Sequence, residues 1–371
     1  MYATRLLSQC QKNPSLLSTT LQPSEGPYSG YLVTWDDEDE PSITQPGCWF
    51  TSNVRSSPLK KLPLPHDKEL AIYPMLRGYS NKNYVTCIFV PVLDQPLSSN
   101  KYYLLKHPFH LGKVATATKS GEKDRNCIGS TEFHYNNIYQ QFQIWPSQKY
   151  ERFKISPVTP DAVCPDSLAA EEMAIRTCDS RLPETSQVNG LDATLRMQLP
   201  RFQLSQPNRK STDPLVVGEW YIPSMFVQEK PLLGRDSLYK MYLVHLEQRW
   251  VEADLSGKNV LKTDAAYIYD KKARWSNDYD TDGYASFVAY NATSQEIERQ
   301  VRLSGAVVKK MLWLQEKGGW TMDKRIKDKA IKDACKGRKP YLLVETFRMW
   351  GWDNNEVLRW HFIHSHRIIY N

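Results

Sequence analysis

VVGEWYIPSMFVQEKPLLGRDSLYKMYLVHLEQRW, residues 216–250, is the stretch on which the fold turns. Its aromatic, apolar first run ends near Val227; a loop with Lys230, Pro231 and Gly234 follows, and a second run starts at Leu238. In that second run Val244, Leu246 and Trp250 fall on one parity, and His245, Glu247 and Arg249 on the other. Alternation among branched and aromatic residues marks a strand with one buried face. The stretch is therefore expected to be a hairpin with a long loop.

Similar units lie on either side. Cys87–Leu105 is a run, a Pro/Ser/Asn loop and an aromatic run; downstream, Tyr341–Trp350 and Glu356–Tyr370 flank a turn with Gly351, Asp353 and Asn354. In the first two units the opening strand carries a proline shortly before the loop, Pro91 and Pro223. Proline cannot donate to a ladder, which predicts an edge strand or a bulge at each.

Helical signals are fewer. Ser294–Lys317 opens with Thr293 and Glu296 in a capping-box pattern and ends at Gly318–Gly319. Ile297, Val301, Val308, Met311 and Gln315 mark one face, widened by Leu312, so residues 294–317 are expected to form a long helix covering a sheet. Leu191, Leu195 and Leu199 predict a short amphipathic helix stopped at Pro200, and Pro165 with Asp166 opens another expected to run through Arg176. The Ser276–Gly283 stretch reads as a polar loop. The fold class expected is α+β, antiparallel and β-rich, with two hairpin-built units. At 371 residues the chain exceeds the usual reach of one core. An N-terminal β-rich unit (1–155), a connector (156–212) and a C-terminal β-rich unit (213–371) divide it, with Ser205–Pro214 as a linker.

Composition narrows the function classes. Seven cysteines without a CxxC pair argue against a disulfide framework or a zinc ribbon and suit a reducing compartment. No apolar stretch approaches a membrane span. The net charge of +7 is uneven, because Met322–Lys339 alone holds eight Lys/Arg and three Asp. In that segment Ile326, Ala330, Ile331 and Ala334 recur at helical spacing without interleaved aromatics, so a solvated helix is preferred over a nucleic-acid surface. GxGxxG, P-loop, GxSxG and HExxH motifs are all missing from the sequence, which removes the usual support for nucleotide, serine-hydrolase and zincin chemistry. No cofactor is expected.

Two local patterns carry chemistry. His364-Ser-His366 on a strand would aim two imidazoles the same way, as metal-binding strands require, with His245 or Glu247 as a third ligand if the strands were neighbours. The same parity holds Trp360, Phe362, Ile368 and Tyr370, so hydrogen-bonded wall histidines are the preferred reading and no metal is expected. His245, Glu247 and Arg249 form either an acid–base cluster or the solvated side of a half-buried strand. That face begins with Tyr239, Met241 and Leu243, so a pocket mouth is retained as an alternative.

Several stretches together carry a resemblance. MYATRLLS (1–8), EGPYSGYLV (25–33), VPVLDQPLSSNKYYLL (90–105), IYQQFQI (138–144), GLDATLRMQLP (190–200), VVGEWYIPSMFV (216–227), LYKMYLVHLEQRW (238–250), MLWLQEKGGW (311–320) and YLLVETFRMW (341–350) occur in that order. The whole resembles a land-plant family catalogued as domain of unknown function 1262. The resemblance implies a soluble intracellular plant protein linked to stress or defence, and it brings no catalytic or binding residues. Members of that family often have a cysteine cluster in the loop corresponding to 119–130, where this chain has Cys127 alone. The leading expectation is a cytoplasmic protein, with a nuclear location as an alternative, that binds a small molecule or a protein partner in stress, defence or specialised metabolism. The alternative is a cofactor-independent isomerase, cyclase or lyase using His245, Glu247, His364, His366 and Tyr239.

Overall fold

The computed structural model describes residues 1–19, 25–36, 59–74, 85–106, 113–119, 129–147, 152–163, 173–177, 182, 185–206, 208–230, 239–253, 264–321 and 338–371. The basic segment 322–337 and the loop holding Cys127 lie outside these residues, as do the opening turns of the helix expected from Pro165.

The first strand, β1 (Tyr2–Leu6), runs into short helices α1 (Leu7–Lys12) and α2 (Ser15–Ser18). Then come β2 (Gly30–Thr34), β3 (Leu70–Pro74), β4 (Val85–Pro91), β5 (Lys101–Lys106), β6 (Lys113–Thr116), β7 (Thr118–Lys119) and β8 (Gly129–Glu132). β9 (Phe142–Pro146), β10 (Phe153–Pro157), β11 (Ala162–Val163) and β12 (Met173–Thr177) complete the first half. After β13 (Gly190–Leu191) and α3 (Ala193–Gln198) the strands lengthen: β14 (Leu215–Pro223), β15 (Val227–Lys230), β16 (Met241–Glu252), β17 (Asp264–Ile268), β18 (Lys271–Tyr279), β19 (Tyr284–Tyr290) and β20 (Ile297–Ser304). Helix α4 (Gly305–Lys317) precedes the last pair, β21 (Pro340–Trp350) and β22 (Glu356–Tyr370).

In the smaller sheet β4 pairs with β3 and β5, and the order β3-β12-β10-β9-β5 returns to β4, so six strands close into a barrel. Closure removes the unpaired edges that strands otherwise present. Alternation fills its interior: Ile72, Phe89, Tyr102, Leu104, Phe142, Ile144, Phe153 and Ile175 share one core. The opposite parity of β4 and β5, with Ile88, Val90, Tyr103 and Leu105, packs into the core of the larger sheet, so this hairpin is buried on both faces.

The larger sheet runs β15-β20-β19-β18-β17-β22-β21-β16-β14-β1-β2, with β13 on β14. It is antiparallel except for β1 beside β2. A three-residue turn, Ser224–Phe226, joins β14 to β15 although they lie far apart along this order. The sheet must therefore curl back on itself, and α4 fills the space within: Ala306, Val307, Val308, Met311 and Leu314 are buried in the same core as Trp220, Leu246, Phe287 and Phe362.

The α+β class with a long covering helix is thereby corrected. The molecule is mainly β; among the described residues its four helices are short, the longest having 13 residues. In place of the expected 294–317 helix, residues 297–304 form β20 and only 305–317 are helical. Val301 and Leu303 alternate into the core while Ile297, counted on the helical face, is exposed. The capping-box residues sit in a hairpin turn instead, where Asn291 Oδ1 accepts from the Thr293 and Ser294 N–H groups. Residues 276–279, expected in a loop, continue β18, and Arg176 lies in β12. Pro91 and Pro223 each end a strand that is paired on both sides, so neither marks an edge; a register shift in β14 falls at Val216/Gly218.

One buried ion pair ties the N-terminal segment to α4. Glu25 accepts from Leu191 N–H at 2.5 Å, Trp220 Nε1–H at 2.9 Å and Lys310 Nζ at 3.4 Å. Gly190 beside it has φ +83°, and a Cβ there would run into the Glu25 carboxylate. Gly190→Ala is expected to destabilise by about 1–3 kcal/mol through strain and collision, read as a lower urea midpoint.

Candidate functional site

Strands β14, β16, β21, β22 and β17 are neighbours, and their register sets side chains in rows on the sheet face opposite α4. One row reads Tyr267, Arg359, Arg348, His245, Glu219; the next reads Ala265, His361, Thr346, Glu247. Arg249 follows Glu247 on the same face of β16. Like charges directly opposite one another destabilise a sheet, and here Arg348 faces Arg359.

Carboxylates offset that repulsion. Glu356 holds Arg348 at 2.5 Å and Arg359 at 2.6 Å; Asp270 takes Arg359 at 2.9 Å, and Glu247 takes Arg348 at 3.3 Å. His245 lies half-buried with its Nε2 3.0 Å from Glu219 Oε1 and its ring 4.5 Å from that of Trp350. Burial lowers its pKa, opposed by Glu219 and Glu247. His361 bonds Thr346 Oγ1 through Nδ1 at 2.8 Å; burial, then the charges of Arg249, Arg359 and Arg348, press its pKa down to about 3. Its imidazole is neutral at ordinary pH.

His364 lies on the other face, against the C-terminal end of α4. Its Nε2 is 2.9 Å from Gln315 Oε1 and 3.6 Å from Glu345 Oε2. Arg196, brought in by α3, bonds both Glu345 oxygens at 2.9 and 2.6 Å and the Leu314 carbonyl at 2.8 Å. Gln248 donates to Glu345 Oε1 at 2.8 Å. Asp192 positions α3 by accepting from Leu195 N–H at 2.8 Å.

The sequence-predicted residues thus divide. His245 and Glu247 share the outer face, and His364 belongs to a buried ionic cluster. β21 lies between β16 and β22, so neither His245 nor Glu247 reaches His364 as a third ligand. His364 and His366 turn their rings to the same place, beside Gly318 and Gly319, although pairing slips between them from Leu343↔His364 to Leu342↔Ile368. His366 is exposed, its ring centroid 5.6 Å from that of His364, packed on Gly319. Tyr239 is buried in the main core, its hydroxyl without a hydrogen-bond partner among the described residues and its pKa raised by burial. Among the described residues no three His, Cys, Asp or Glu gather as a metal site, and no helix is long and apolar enough to cross a membrane.

Residues 25–128 match a family model described as "Protein of unknown function (DUF1262)". Over those residues the chain is similar to that family. No curated protein matches it. Among solved structures, the one described as "Crystal structure of Cry35Ab1" aligns at TM-score 0.41 and 11% identity, covering 83% of this chain and 90% of that one. A likeness at that level carries no argument.

Sequence reasoning missed Arg196, Gln248, Glu345 and Lys310. A signal was present for Glu345, which shares the parity of Leu343, Phe347 and Met349 in an otherwise apolar strand run. Lys310 was equally legible, since it falls three residues after Val307 and four before Leu314 on the buried stripe of α4.

Proposed function

We propose that this chain is a ligand-binding protein whose binding surface is the outer face of β16, β21 and β22. The observation that supports it is the ladder Asp270–Arg359–Glu356–Arg348–Glu247, flanked by Trp350, Tyr267 and His245. Fixed donors and acceptors beside aromatic rings suit recognition of a small polar molecule. On the resemblance to the land-plant family, we assign it to the plant cytoplasm, in stress, defence or specialised metabolism.

Native mass spectrometry of protein purified from plant tissue tests the reading. A co-purifying organic mass should accompany the wild type and be lost from an Arg348→Gln variant. Equal retention by the variant overturns the assignment of this face, and an associated protein in its place would make the partner macromolecular.

A second reading, cofactor-independent proton transfer, draws on His245 beside Glu219 and Glu247. Its test is His245→Ala: a folded variant that turns over any identified substrate at the wild-type rate removes His245 from that role.

A further inference from the structure

We infer that Arg249, with His361 beside it, forms a site for an oxyanion, a carboxylate or phosphate group, at the centre of the outer sheet face. The inference rests on that face being the binding surface and names the chemistry of what it takes. It begins from how the three arginines of the face are satisfied. Arg348 bonds Glu356 at 2.6 Å and Glu247 at 3.3 Å, and Arg359 bonds Asp270 at 2.9 Å. Glu356 also pairs with Arg359. Among the described residues the half-buried Arg249 side chain has no hydrogen-bond partner, and its Nε is enclosed.

An unpartnered buried donor is uncommon in a folded protein and asks for an explanation. A guanidinium is the most demanding case, because it has five donors and keeps its charge when desolvated. The nearby carboxylates are already committed to Arg348 and Arg359, so Glu247 balances Arg249 through space without bonding it. Two acceptor oxygens would complete the fork in a way that no side chain of the face does.

His361 supplies the second contact. The register places it across β21 from Glu247, with Thr346 between. Arg249 stands in the adjacent row of the same face, opposite Val344 and, beyond it, Ile363, one row along from Glu247, Thr346 and His361. In the tautomer whose Nδ1 accepts from Thr346 Oγ1, which is the one the proposal requires, the neutral ring carries its proton on Nε2 and has it to offer an anion. The apolar walls are Val344 and Ile363, both buried on this face. Charge, fork geometry and a neutral donor together select an oxyanion over a halide or a cation.

The test uses the full chain labelled with 15N at arginine and histidine side chains, titrated separately with inorganic phosphate and with acetate. The Arg249 Nε–H resonance and the His361 ring signals should move together and saturate. Arg249→Gln should reduce the affinity at least tenfold, whereas Arg249→Lys, which keeps the charge without the fork, should bind between the two. A shift with phosphate alone names a phosphate-bearing ligand; one with acetate alone names a carboxylate. His361→Gln serves as a second probe if Arg249→Gln fails to fold, and should weaken both anions. Non-saturating shifts to tens of millimolar, or wild-type binding by a folded Arg249→Gln or His361→Gln variant, overturn the proposal. The wider reading fails separately: a natural ligand retained in Arg348→Gln removes the face, whereas one lost in Arg348→Gln but retained in Arg249→Gln keeps the face and removes this site.

Discussion

Glu345→Leu is expected to lower the folding stability by about 3–5 kcal/mol, because removing one member of a buried ionic cluster strands the other. Glu345 is 1% exposed and is the acceptor of Arg196 and Gln248. Without it the guanidinium of Arg196 keeps only the Leu314 carbonyl, and α3 loses its anchor to β21. Arg196→Met alone should cost a similar amount, and the Arg196→Met/Glu345→Leu pair less than the sum, since an apolar replacement leaves no orphaned charge. The pH arm has a definite sign. Burial alone would raise the Glu345 pKa from 4.5, but His364 and Arg196 outweigh it and hold it at about 2. A depressed carboxyl stabilises the fold above its unfolded value and loses that contribution as pH falls from about 4.5 towards 2. Urea midpoints for the wild type and Glu345→Gln should therefore converge on acidification. A Glu345→Leu variant as stable as the wild type at neutral pH would show that the cluster is energetically idle.

How much of this was legible in the sequence depends on the range of the interaction. Period-two alternation is a local property, so the strands of the β14/β16 and β21/β22 pairs were readable, along with the shared face of His245, Glu247 and Arg249. β20 was misread because Val301 and Leu303 fit an alternation as well as Val301, Val308 and Met311 fit a helical stripe, and tertiary pairing with β15 and β19 decided between them. That His366 is exposed while His364 is buried was not readable, because the bulge that adds residues to this strand leaves no mark in composition. The Arg196–Glu345 and Glu25–Lys310 pairs join residues 149 and 285 positions apart. Such contacts follow from topology, and a single sequence carries at most the hint of a charged residue on an apolar parity.

The Glu25–Lys310 pair makes the second large prediction. Lys310 is fully enclosed, and its burial lowers the pKa from 10.5 to about 8 despite the raising effect of Glu25. Between those values the unfolded chain holds a proton that the folded chain has released, so stability must rise with pH across that window. The gain at full deprotonation is on the order of 3 kcal/mol, taking about 1.4 kcal/mol per pKa unit. Above pH 10, the ordinary tyrosine value, the trend reverses. Burial raises the pKa of Tyr2, Tyr102, Tyr103 and Tyr239, so the folded state keeps protons that the unfolded chain gives up. Stability should accordingly peak on the alkaline side, near the point where lysine relief ends and tyrosine loss begins. Lys310→Met flattens the rising limb and leaves the falling one in place. At neutral pH the same variant strands Glu25 with only Trp220 and Leu191 as donors, so a loss of about 3–5 kcal/mol is expected there. Urea titrations at several pH values between neutral and pH 11 read both effects. A rising limb that survives in Lys310→Met would assign the alkaline gain to another group and leave the buried pair as a structural tie alone.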